Sequence, residues 1–280
     1  MLAAWPGYAR SAAAQDWSPF VLVTATLNLD TSVAFLTPVL VHTAASQRPA
    51  DLPEPDATPG HGRVVAGSAL LYGVLLLSNA GSLLLPGSNL TNLIVLGHLH
   101  LTGGQFVARM WLPWLAAVAA TAAVAAIGVA AAGIRLAQRR VTFAQVREVL
   151  GVPVLIGLFG VAVALGAVGR AWAGPAQFIS HLDGWATALV AGLSTVLLNN
   201  LPAASLLAAR APSHPFFLLV GLNLGPNLYV TGSLAWLLWL RAARASGARP
   251  SVGRASRLGL IAVPLALALA VGALTLTGAS

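Results

Sequence analysis

The chain has 280 residues, 58% hydrophobic and only 8% charged, and its apolar runs reach 18 to 20 residues or more; this excludes an ordinary soluble fold and reads as a membrane protein. The formal charge of +8 comes from 15 arginines and no lysine, gathered largely in two short loops between apolar segments, a pattern that sets membrane orientation rather than binding nucleic acid. The absence of cysteine excludes disulfides, thiolate metal sites and Cys nucleophiles, and the absence of lysine excludes a phosphate-binding glycine loop completed by lysine.

Near the start, Ser11-Ala12-Ala13-Ala14 imitates a signal-peptidase site, but Pro6, Gly7 and Arg10 stand where an apolar core would be needed, so no cleaved signal is expected. Segment 19–45 is apolar with a polar tip, Asn28-Leu29-Asp30-Thr31-Ser32, and is expected to be a re-entrant hairpin. The insertion 46–63, with Pro49, Pro53, Pro55 and Pro59, reads as a solvated loop. Segment 64–97 is a helix broken by Pro86-Gly87-Ser88-Asn89-Leu90-Thr91-Asn92, and 110–134 is a plain crossing. Loop 135–148 carries Arg135, Arg139, Arg140 and Arg147. Beyond it lie a crossing at 149–172, a second hairpin at 184–209 around Asn199-Asn200-Leu201-Pro202, and a second broken helix at 215–240 around Asn223-Leu224-Gly225-Pro226-Asn227. Pro202 is expected to disfavour helix at Leu201 and so to make the second tip. After a loop at 241–257 holding Arg241, Arg244, Arg249, Arg254 and Arg257, a final crossing spans 258–277.

Both arginine loops should be cytoplasmic, yet three apolar segments lie between them. Parity therefore requires that 184–209 enter and leave from outside, and that 19–45 open to the cytoplasm. Asn79 and Asn223 are 144 residues apart, as are Gly81 and Gly225, and each broken helix follows a hairpin, which is the order of an inverted repeat. The expected architecture is an all-α polytopic membrane protein with two re-entrant hairpins and two discontinuous helices. Its first repeat is 1–134, its cytoplasmic loop 135–148 and its second repeat 149–280. Because a full crossing precedes the second hairpin and none precedes the first, scaffold helices upstream of Met1 are expected.

Several of these runs resemble the ion transporter superfamily, and most closely its arsenical pump membrane proteins. The likeness rests on Leu36-Thr37-Pro38, Leu85-Pro86-Gly87-Ser88-Asn89-Leu90-Thr91-Asn92, Asn199-Asn200-Leu201-Pro202 and Asn223-Leu224-Gly225-Pro226-Asn227 with Gly232-Ser233-Leu234-Ala235, and runs from about residue 18 to 277. It implies an inner-membrane transporter with no cofactor and no enzymatic activity, exporting arsenite or antimonite by alternating access and coupled to protons. Its other implied substrates and partners are another small inorganic or organic anion, sodium, an ATPase subunit and a second copy of the chain. Sodium/proton exchange and dicarboxylate symport are alternatives within the superfamily, and a non-transporting partner subunit is one outside it. At the first tip the sequence departs from many arsenical permeases: Leu29 separates Asn28 from Asp30, and Thr31 stands where glycine is usual.

Asp30 is the acid expected deep in an apolar segment, where an ionised carboxylate costs about 2.5–3.5 kcal/mol on insertion scales; it is a candidate for proton or ion coupling, or else a cap for the hairpin's second arm. Asn28, Thr31, Ser88, Asn89, Thr91, Asn199, Asn200, Asn223 and Asn227 are the expected substrate ligands, since hydroxyls, amides and the N-termini of half-helices suit a hydroxylated or anionic solute. The same side chains could instead satisfy the broken backbone. Asp183 is expected to cap the helix that follows it. The histidines fall near segment ends or in the polar loop, and His98-Leu99-His100 alone makes a weak metal site, so none is assigned.

Overall fold

The computed structural model describes residues 29–30, 32–34, 36–38, 66–132, 152–245, 248 and 250–278; at 66–70, 126–132, 152–156, 158 and 159 it describes the backbone alone. Asn28, Thr31, the hairpin arm before residue 29, the insertion 46–63 and the loop 135–148 lie outside the described residues. Those that are described are helical, with turns and no strand among them. The numbered helices are α1 (Ala66–Gly81), α2 (Leu90–Leu96), α3 (Gly103–Ala132), α4 (Val152–Ala171), α5 (Gly174–Ser180), α6 (Gly184–Leu198), α7 (Asn200–Leu207), α8 (Pro215–Leu224), α9 (Leu234–Ala245) and α10 (Val252–Thr277). Ahead of them, every described position between 29 and 38 is helical.

Local chemistry explains where the elements start and stop. After α1 the chain turns through Pro86–Ser88, and the Asn89 side chain caps α2 by accepting from Thr91 N at 3.1 Å. α3 begins seven residues before the expected 110, because Thr102 and Gln105 form a reciprocal capping box: Thr102 N donates to Gln105 Oε1 at 2.8 Å and Gln105 N to Thr102 Oγ1 at 3.2 Å. α10 begins six residues before 258, where Ser251 accepts from Arg254 N, so Arg254 and Arg257 sit in helix rather than loop. Arg241 and Arg244 likewise belong to α9. As expected, Asp183 caps α6, accepting from Ala186 N at 2.8 Å. The reading of Leu201 is corrected. Leu201 is helical and the tip lies at Asn199, since Pro202 falls in the first turn of α7, where a missing N–H removes no ladder bond.

Among the described residues two helices, over Gly103–Ala125 and Val252–Thr277, are long and apolar enough to cross a membrane. They are α3 and α10, which make the most extensive packing in the fold. Each contains a proline, Pro113 or Pro264, that deletes one ladder hydrogen bond. Around this pair α1 packs on α3, α8 on α10, α6 on α8, and α7 on both α4 and α2. One apolar core includes Phe106, Met110, Phe216, Leu218 and Leu274; a second gathers Leu29, Val33, Leu71, Tyr72, Trp236 and Trp239.

Candidate functional site

The two broken helices meet at their breaks. Asn223, at the end of α8, is 0% exposed and uses its whole hydrogen-bonding capacity. Its Nδ2 donates to Asn92 Oδ1 at 2.8 Å and to Leu219 O at 2.9 Å, while its Oδ1 accepts from Asn89 Nδ2 at 2.7 Å and lies 2.9 Å from the Ser82 hydroxyl. Ser82 Oγ can donate either there or to Asn79 O, 2.8 Å away. One turn beyond Asn223, Asn227 Oδ1 accepts from Asn79 Nδ2 at 2.7 Å and Asn227 Nδ2 donates to Leu76 O at 3.0 Å. Six buried side chains from two segments more than 130 residues apart thus form one network.

Much of the amide chemistry satisfies broken backbone, the second reading the sequence allowed. Asn92 Nδ2 donates to Ser82 O at 2.9 Å and Leu85 O at 3.1 Å, and the Ser88 hydroxyl donates to one or other of the same carbonyls. Both carbonyls belong to the turn that follows α1, where Leu85 O also accepts from Ser88 N at 3.3 Å. At the second hairpin, Asn199 has φ 77° and ψ 151°, a conformation close to one that only glycine adopts readily; it is the one non-glycine residue with positive φ among those described. Its side chain supports that strained backbone, Oδ1 accepting from Leu201 N and Nδ2 donating to Thr231 O at 3.1 Å. Asn200 N donates to Gly232 O at 2.8 Å.

Two of the expected ligands keep unused groups. Thr91 Oγ1 is buried with no hydrogen-bond partner, and the Asn200 amide, 5% exposed, makes no side-chain hydrogen bond among the described residues. They stand at corresponding places. α2 and α7 pack side by side with their C-terminal ends joined, His98 Nε2 lying 2.7 Å from Ala208 O. Two packed helices joined at their C-terminal ends run parallel. His98 lies nine residues past the cap Asn89 and Ala208 nine past the cap Asn199, so both capped N-termini reach one level. Each of the two short helices thus starts at an Asn cap with an unused polar group in its first turn, the Thr91 hydroxyl in one and the Asn200 amide in the other, groups whose chemistry suits a hydroxylated or anionic guest.

Asp30 is half-buried on the helical stretch that packs, through Leu29 and Val33, against Leu71, Tyr72, Leu75, Trp236 and Trp239. Asn28 and Thr31, its expected companions, lie outside the described residues. The structure thus joins Asn89, Asn223 and Asn227 in one network with Asn79, Ser82 and Asn92, which sequence reasoning did not assign to the site. Their signal was spacing: Asn79 and Ser82, like Asn89 and Asn92, are three residues apart and share a helical or turn face. No group of His, Asp or Glu among the described residues could hold a metal ion. No family model, no curated protein and no solved structure matches this chain.

Proposed function

We propose that the chain is a multi-pass transporter of the inner membrane that exports arsenite or antimonite by alternating access, with Asp30 carrying the coupled proton. The observation that carries this reading is the meeting of two helix breaks in one buried polar network, beside two Asn-capped helix starts with unused polar groups. Broken helices in an apolar bundle are costly unless something is bound or moved there.

The packing of the hairpins supports an inverted repeat. The stretch 29–38 seats on α1, the first part of its own broken helix, and on α9, the second part of the other one. The second hairpin seats on α8, the first part of its own broken helix, and on α2, the second part of the other. That exchange is what a two-fold relation between repeats requires, and α3 and α10, which follow the two broken helices, lie against each other as such a relation demands. A lipid surrounding is supported by outward apolar side chains: Leu189, Leu193 and Leu197 of α6 are 52%, 60% and 81% exposed, and Leu276 of α10 is 88% exposed.

Within this reading the ligand set narrows. Asn223 and Asn227 hold the breaks together; Thr91 and Asn200 meet the solute. Trivalent arsenic in neutral water is chiefly a neutral trihydroxide, which hydroxyls and amides recognise without sulfur. The test is arsenite accumulation in inverted vesicles under an imposed pH gradient. Accumulation is expected with the native chain and is expected to collapse in Asp30→Asn. Asn200→Ala is expected to raise the half-saturating concentration about tenfold, the equivalent of one net hydrogen bond of ~1.4 kcal/mol. Flux indifferent to both the pH gradient and Asp30→Asn would end the coupling mechanism, and no accumulation by correctly inserted protein would end the substrate assignment.

A further inference from the structure

Leu36-Thr37-Pro38 plays no part in the solute site described above, yet Thr37 is completely buried and its hydroxyl has no hydrogen-bond partner. Two further buried polar atoms, Ser78 Oγ of α1 and Trp114 Nε1 of α3, also have no hydrogen-bond partner. Leu29 and Val33 share a packed cluster with Leu71, Tyr72 and Leu75, and Leu36 packs on Val74 and Leu77. The stretch 29–38 and α1 therefore advance together in parallel, which brings Thr37 level with Ser78. Ser78 is one turn beyond Val74 and adjoins Leu77, and Trp114 packs against that same Val74 and Leu77 pair.

Three buried polar groups without partners around one apolar pair are an unusual concentration, because buried polar groups are nearly always hydrogen-bonded. Their chemistry selects the guest. An indole N–H only donates, so the guest must offer an acceptor oxygen, which rules out a bare cation; two hydroxyls beside it accept as well as donate. A water molecule meets all three demands, accepting from Trp114 Nε1 and donating to Thr37 Oγ1 and Ser78 Oγ, and three hydrogen bonds are the usual number for a buried water.

We propose that Thr37, Ser78 and Trp114 form a buried hydration site between the first hairpin stretch, α1 and α3. The water is a structural component that adds polar bridges to the direct apolar contacts of Leu29, Val33 and Leu36 by which the segment carrying Asp30 is seated. The site stands whether or not the chain moves arsenite.

X-ray radiolytic hydroxyl labelling of the full-length chain in detergent, read by mass spectrometry, tests it with internal controls. Leu75, Leu76 and Leu77 are all 0% exposed and adjacent on one helix. An ordered water beside Leu77 is expected to make it label at least threefold faster than Leu75 and Leu76, and Thr37→Val/Ser78→Ala is expected to abolish the difference. The same double variant is expected to melt several degrees lower than the native chain, since it strips a bound water of two partners. Equal labelling of the three leucines in the native chain would overturn the proposal even if the variant failed to fold. So would a higher melting temperature in the variant, because removing polar groups from a dry site stabilises it.

Discussion

The two helix breaks of this protein are closed in opposite ways. At the first, between α1 and α2, the carbonyls of Ser82 and Leu85 are taken up by Ser88 and Asn92 of the same segment, so these carbonyls are satisfied locally. At the second, between α8 and α9, the carbonyls of Thr231 and Gly232 are taken up by Asn199 and Asn200 of the hairpin tip, while Pro226 O accepts from Trp236 Nε1 at 2.8 Å and Tyr229 O from Gly232 N at 2.9 Å. Backbone also meets backbone there: a Cβ on Gly225 would stand 2.5 Å from the Cα of Gly192 in α6. The first break takes up its own free carbonyls and meets the other half only through side chains, whereas the second is one half of a joint whose other half is the hairpin. The second tip cannot leave its seat without unpairing the carbonyls of Thr231 and Gly232, and a segment so tied moves with its partner.

The severest way to break this comparison is Gly225→Ala, which forces two backbones apart where no side chain can yield. It is expected to cost about 3 kcal/mol or more and to fall in the range where the chain no longer accumulates folded in the membrane. Near-native thermal stability of this variant in detergent would show that hairpin and break are not packed backbone to backbone. A smaller loss, about 2–3 kcal/mol, is expected of Asn223→Ala, since it orphans the Asn89 amide and the Asn92 carbonyl oxygen together. Hydrogen exchange should then quicken at 82–92 in the other half of the chain as well as at α8; acceleration confined to α8 would mean that the network does not join the breaks. The finest contrast pairs Asn199→Ala with Asn92→Ala. The first, at about 1–2 kcal/mol, should loosen amides at 229–233 across the joint, and the second should loosen 82–88 beside it while leaving 229–233 unchanged. The same local pattern in both variants would erase the distinction between the breaks.

How much of this could be read beforehand depends on the reach of the interactions involved. Pro86-Gly87, the capping asparagines and Pro202 act within about one helical turn, so the existence of both breaks and of the second tip was legible, as was the cap at Asp183. The early starts of α3 and α10 were legible too, in Thr102 with Gln105 and in Ser251, but long apolar runs drew the boundaries inward. At the second tip only the expected loss of helix at Leu201 was misleading, because proline's restriction on its predecessor does not outweigh its tolerance in a first helical turn.

The sequence by itself determined which residues are polar inside apolar segments, where the helices must stop, and that the chain is built almost wholly for an apolar setting, because composition and capping are local properties. Only the tertiary structure decided what those polar residues do. Asn223 carries the same amide as Asn200, yet partners 131, 134 and 141 residues away, together with Leu219 O one turn back, saturate the first, while the second keeps its side chain unbonded among the described residues. A side chain's remaining hydrogen-bonding capacity is set by what the fold brings to it from a distance, and an amide already fully bonded has none left to offer a solute.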